Sequence, residues 1–113
     1  MSFIDKSFET RLNEYNTIKN KYPDRFPIIV EKDKLTKMES IDKNKYLVDK
    51  NMVFCQFINI IRKRLKIKPQ DAIFITINGQ LAPSNELMCN IYKNMKSDDG
   101  FLYLKYSMEN TFG

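Results

Sequence analysis

The 113-residue chain has no histidine and no tryptophan, and only three glycines, two cysteines and four prolines. Without histidine it lacks the commonest general base near neutral pH and the commonest zinc ligand. With so few glycines it forms neither a G-x-G-x-x-G turn nor a phosphate-cradling P-loop. Two isolated thiols, Cys55 and Cys89, make no disulfide framework and read as buried, reduced cysteines. For Cys55 in particular, a structural thiol is expected rather than a nucleophile, because no histidine can serve as its base. No apolar run approaches the roughly 20 residues of a bilayer-spanning helix. Nor does the amino end have the basic-then-apolar layout of a secretory signal, so a cytoplasmic chain is expected. These gaps leave no catalytic site, no metal and no cofactor to assign.

What is present suits one globular domain: 42 % hydrophobic and 29 % charged residues, with a net charge of +5. The positive balance favours acidic partners, whether peptide, lipid surface or nucleic acid. Arg62, Lys63 and Arg64 near aromatic-rich strands are a weak nucleic-acid signal, and a solvated helix end explains them as well.

The periodicity yields an ordered set of elements. In "SFETRLNEYNTIKNKYP", Phe8, Leu12, Tyr15, Ile18 and Tyr22 recur at three- and four-residue steps, predicting an amphipathic helix capped by Ser7 and ended by Pro23. "RFPIIVEK" reads as a strand with Phe26, Ile28 and Val30 on one face and Pro27, Ile29 and Glu31 on the other. Pro27 argues against full hydrogen bonding at that point. A polar connection leads to "KYLVD", a second strand forming a long-looped hairpin with the first. "MVFCQFINIIRKRLKI" predicts the central helix, with Val53, Phe54, Phe57, Ile60, Ile61 and Leu65 at helical spacing.

"AIFITI" is a strand ending in the turn pair Asn78-Gly79, after which Gln80 to Ala82 can return as a short strand. Ser84 is expected to cap a short helix carrying Leu87, Met88, Ile91 and Met95. Asp98, Asp99 and Gly100 read as a turn, and "FLYLKYS" as the last strand. Two strands, a crossing helix, then two more strands with a short helix between them give an α+β ubiquitin-like β-grasp, with a four-stranded mixed sheet and an added N-terminal helix.

In "KYLVD" the face bearing Lys45, Leu47 and Asp49 alternates with the face bearing Tyr46 and Val48. If this is an edge strand, its backbone can pair with an extended peptide. If not, it is a hairpin strand with two buried residues. Periodicity leaves both open.

"KYPDRFPIIVEK", "DKNKYLV", "QFINIIRKRL" and "FLYLKYSMENTFG" together resemble the GABARAP and microtubule-associated light-chain family, the ubiquitin-like modifiers of autophagy, in register from about Phe8 to Gly113. The resemblance implies an N-terminal helical extension over 1–24, a β-grasp core over 25–107 and a conjugation tail over 108–113. It implies attachment of Gly113 to phosphatidylethanolamine by E1-like and E2-like enzymes, with a cysteine protease for processing and deconjugation. It also implies capture of cargo receptors through acidic aromatic-x-x-aliphatic peptides. The aromatic pocket would be Glu14, Ile18, Pro27, Ile29, Lys45, Leu47 and Phe101. The aliphatic pocket would be Tyr46, Val48, Met52, Phe57 and Ile60, with Arg64 nearby, and Arg25, Lys43 and Lys45 would meet the peptide's acids.

A monomer is expected, cytoplasmic until lipidation brings it to an autophagosome or, in some parasites, a plastid. Specific nucleic-acid binding is not expected. The chain departs from the family pattern at Asp49, where proline is usual, at Val53, where a threonine cap is usual, and at Thr76, where relatives often carry an aromatic. The rival readings are a basic β-grasp domain that binds nucleic acid and a peptide-binding module without conjugation.

Overall fold

The computed structural model describes residues 2–108. A single 3-10 turn, Phe3–Asp5, precedes helix α1, Phe8–Lys21. Ser7 caps α1 as expected, its hydroxyl accepting the Thr10 N–H at 3.2 Å. Strands β1 (Arg25–Lys32) and β2 (Lys45–Asp49) follow, then α2 (Phe54–Leu65), β3 (Phe74–Ile77) and β4 (Gln80–Leu81). Helix α3 (Met88–Met95) and strand β5 (Leu102–Ser107) complete the domain.

The sheet has five strands, not four, in the order β2-β1-β5-β3-β4. The additional strand is β4, two residues returned by the Asn78-Gly79 turn, where both residues have positive φ, 52° and 78°. β1 runs parallel to β5 and antiparallel to β2. Pro27 pairs with Leu47 of β2, while the parallel ladder to β5 begins one residue later at Ile28. The proline thus sits where only one side of β1 is bonded, which reconciles its missing N–H with an interior strand.

Two apolar layers flank the sheet. On one side Ile28, Val30, Tyr46, Val48, Phe54, Phe57 and Ile61 join Leu102, Leu104 and Tyr106 in the main core beneath α2 and α3. On the other a small cluster of Phe3, Ile29 and Phe101 is covered by Tyr15, Ile18 and Tyr103. Only the middle of the predicted α1 stripe packs here. Phe8 and Tyr22 at its ends are 48 % and 39 % exposed, because a straight helix touches a twisted sheet over a limited length.

Three further expectations need correction. Cys55 is exposed and Cys89 half-buried, since Phe54 and Phe57 take the core-facing positions of α2 and turn Cys55 outward. Ser84 does not cap α3, which begins at Met88 with Leu87 at the cap position. Glu86 serves that turn instead, accepting the Leu87 N–H and the Asn90 side-chain amide, both at 2.9 Å. Asp99 is more than a turn residue: it is 1 % exposed, and besides accepting the Phe101 N–H at 2.9 Å it accepts from Arg11 at 2.6 Å and from the Tyr103 hydroxyl. This buried carboxylate ties α1 to the last strand.

The start of α2 shows how the fold manages without a side-chain cap at Val53. The N–H groups of Phe54 and Cys55 donate to the Glu86 and Ser84 carbonyls, each at 2.8 Å, and Gln56 accepts from the Val53 N–H at 2.9 Å. Donors that a threonine would otherwise serve are satisfied by the neighbouring loop.

Candidate functional site

The pairing order places β2 at the sheet edge, with β1 its only neighbour among the described residues. Its outer backbone groups are therefore available to an incoming strand. Alternation puts Tyr46 and Val48 in the core and turns Lys45 and Leu47 to the other face, where they lie opposite Ile29 and Pro27 of β1.

On that face a cavity of about 320 Å³ opens between α1 and the hairpin, bordered by Ile18, Pro27, Lys43, Lys45, Leu47 and Phe101. Five of the seven residues assigned to an aromatic pocket thus meet around one hollow. Ile29, another of them, is completely buried between the sheet and α1, so it supports the floor from behind. Phe101 is held by an edge-on contact with Phe3, ring centroids 4.8 Å apart.

Glu14, the remaining residue, forms an electrostatic clasp at the rim. It accepts from Lys45 Nζ at 2.5 Å and from Lys6 at 3.4 Å. Partial burial would raise its carboxyl pKa, but the hydrogen bond and charge of Lys45, helped by Lys6, outweigh this and hold it below its usual range. Lys45 Nζ also sits 4.8 Å from the Phe3 ring centroid, so the 3-10 turn, α1 and β2 meet at one lysine.

The residues assigned to an aliphatic pocket are likewise brought together, on the core side. Tyr46, Val48 and Phe57 are buried, with the Tyr46 and Phe57 rings edge-on at 5.4 Å, and Met52 and Ile60 pack half-buried against them. Arg64 donates through two guanidinium nitrogens, Nε and Nη2, to the two carboxylate oxygens of Asp42, at 3.1 and 3.2 Å. That pairing is the chief reason the Asp42 carboxyl lies below its ordinary pKa. Arg25 is exposed at the start of β1 opposite Asp49, and Lys43 Nζ stands 5.1 Å from the Tyr46 ring centroid. Gly113 lies outside the described residues. The Arg11–Asp99–Tyr103 cluster, which positions α1 over the hollow, escaped sequence reasoning because its members are 88 and 92 residues apart.

Two of the three basic residues of the run on α2 are engaged within the domain. Arg62 donates to the carbonyls of Lys68 and Asp71, at 2.9 and 2.7 Å, and Arg64 is paired with Asp42. Among the described residues, no helix is long and apolar enough to cross a membrane.

A mixed sheet grasping one main helix, an N-terminal helix on the opposite face and a free edge beside a hollow define a ubiquitin-like domain with a helical extension. The family model for the Atg8 ubiquitin-like autophagy protein matches residues 10–113. Autophagy-related protein 8e of Arabidopsis thaliana is 48 % identical, over 97 % of this chain and 90 % of its own length. Autophagy-related protein 8 of Schizosaccharomyces pombe is 51 % identical, over 96 % and 90 %. The crystal structure of Trypanosoma brucei ATG8 superposes with a TM-score of 0.88 at 37 % identity, covering 98 % of this chain and 96 % of that one. The chain belongs to the Atg8 family of autophagy-related ubiquitin-like proteins, and its partners belong to the autophagy machinery.

Proposed function

We propose that this Atg8-family chain is a modifier and adaptor rather than an enzyme. It is conjugated through Gly113 to phosphatidylethanolamine, acts on the forming autophagosome, and recruits cargo receptors carrying acidic aromatic-x-x-aliphatic peptides. The observation that carries the adaptor half is the edge position of β2 beside the hollow formed by Ile18, Pro27, Leu47 and Phe101. A peptide strand added to β2 would send its aromatic side chain into this hollow. Lys43 and Lys45 at the rim, with Arg25 farther along β1, would meet its acids and set rate and register more than affinity. To open Lys45 for the peptide, the Glu14 clasp has to exchange one carboxylate for another.

The aliphatic side chain would fall on the opposite side of β2, toward Met52 and Ile60. With Tyr46, Val48 and Phe57 closed beneath, that subsite would be shallow and shaped by movement of Met52.

Titration calorimetry with such a peptide tests the adaptor half. Leu47→Ala is expected to weaken binding by about 1 to 3 kcal/mol, the range for a buried apolar contact. Lys45→Glu should weaken it by an amount that shrinks with added salt. Equal affinity for the Leu47 variant and the parent would remove the hollow from the site. The conjugation half is tested with E1-like and E2-like enzymes and phosphatidylethanolamine vesicles. Gly113→Ala should abolish the lipidated product while leaving peptide binding unchanged, and conjugation of the alanine form at the parent's level would refute it.

A further inference from the structure

The connection between β1 and β2 presents a feature that neither the core nor the peptide edge explains. Among the described residues, Leu35 is 79 % exposed, well above the other large exposed apolar residues, of which the next is Leu81 at 54 %. Its position is built rather than loose. The Asp33 carboxylate accepts the Leu35 N–H at 2.9 Å, and the Asp33 carbonyl accepts the Thr36 N–H at 3.2 Å. Thr36 is itself buried, at 6 % exposure. Farther along, the Tyr106 hydroxyl donates to the Glu39 carbonyl at 2.7 Å and accepts the Ile41 N–H at 2.8 Å, pinning the loop to β5. The turn therefore holds a leucine out in water, with Lys32, Lys34 and Lys37 close on either side in the chain.

The same end of the domain is where β5 leaves the sheet. Lys32 is opposite Tyr106, Asp33 donates to the Tyr106 carbonyl at 2.9 Å, and Ser107 is opposite Phe74. A cleft of about 450 Å³ joins the loop to the connection after α2, bordered among others by Met38, Lys66, Lys68 and Met108. The acids here are partly engaged: Asp33 holds the turn and Asp42 pairs with Arg64, while Glu39 and Asp71 also border the cleft.

We propose that this end is a membrane-contacting surface: Leu35 enters the boundary between headgroups and acyl chains of an anionic bilayer, and Lys32, Lys34 and Lys37 lie on its phosphates. A protruding leucine on a fixed turn offers no groove for a peptide and suits a partner that deforms around it. Lysines at an anionic surface add attraction residue by residue, and this attraction fades within a Debye length. The orientation rests on the conjugation reading above: β5 ends here, a few residues before Gly113 in the sequence, so one membrane would receive both the conjugated lipid and Leu35. Together they would hold the domain in one pose, where a single tether leaves it free to tumble.

The test uses the full, unconjugated chain with no conjugation enzyme present, so its outcome is separate from that of Gly113. Flotation with phosphatidylcholine vesicles containing phosphatidylserine, at low salt, should recover the parent chain, whereas phosphatidylcholine alone should not. Lys34→Glu with Lys37→Glu should reduce partitioning by about tenfold or more. Leu35→Ala should reduce it by about fivefold, the share of a leucine's transfer energy carried by its missing carbons at a partly wet boundary. Lys50→Glu with Lys93→Glu, the same charge change elsewhere, should have the smaller effect. Equal losses for the two lysine pairs, an unchanged Leu35→Ala variant, or a parent that binds neither vesicle would each overturn the proposal, the last leaving Leu35 to a protein partner.

Discussion

Gly100 lies against the Tyr15 ring of the N-terminal helix, and replacing it with alanine probes that contact. Its φ of +92° is one that side-chain-bearing residues rarely adopt, so Gly100→Ala costs about 1 to 3 kcal/mol in backbone strain. The new methyl would lie 2.5 Å from Cγ and 2.6 Å from Cε1 of Tyr15, where ordinary carbon contacts are about 3.5 to 4.0 Å. The ring would have to retreat by about 1 Å. It is not free to do so, because it packs edge-on against Phe101 with centroids 6.2 Å apart. Overpacking of this kind costs a further 1 to 3 kcal/mol or so, and the two terms together come to about 4 kcal/mol, a large part of the stability of a typical domain.

Urea and thermal unfolding followed by circular dichroism would measure that loss, with an expected fall in Tm of roughly 10 to 20 °C. A double-mutant cycle isolates the clash. In a Tyr15→Ala background the ring is gone, so Gly100→Ala should cost only the backbone part, about 2 kcal/mol, leaving a coupling energy of similar size. If Gly100→Ala costs the same in both backgrounds to within about 0.5 kcal/mol, the tyrosine ring does not lie against Gly100.

Asp99→Ala should destabilise the domain by about 3 kcal/mol, since it leaves Arg11 and Tyr103 without their shared acceptor; a chemical-denaturation midpoint within error of the parent would contradict this. Acidification should loosen the Glu14 clasp. Because the folded carboxyl pKa lies below the ordinary one, the clasp's contribution is complete above the ordinary carboxylate pKa and is lost as pH falls through the lowered value. Nuclear magnetic resonance titration of the Glu14 side chain should show that lowered midpoint in the parent and its return toward normal in Lys45→Ala, and an unmoved midpoint would rule out Lys45 as its partner.

Residues close in sequence made most of the elements legible. The apolar spacing in "FCQFINIIRKRL", the alternation in "KYLVD" and the Ser7 cap depend on neighbours within a turn or a pleat, where the 3.6- and 2-residue periods act directly. The same local signals misjudged Cys55, because a cysteine's usual burial says nothing about which side of α2 it occupies once Phe54 and Phe57 have taken the core. Local signals also placed a serine cap at Ser84, where a glutamate and the neighbouring α2 terminus divide the hydrogen bonds instead.

Adjacency, by contrast, came from the tertiary fold. Lys45 and Leu47 could be seen to share a face, but whether that face lay at an edge depended on which strand β1 took as its second neighbour, and that strand, β5, lies more than 50 residues beyond β2. Likewise Glu14 reached Lys45, and Arg11 reached Asp99, only after the long segments between them had folded. Periodicity records which way a side chain points along its own element. Closure of the sheet, driven by burial of Phe57, Leu104 and Tyr106 together, sets what each side chain faces.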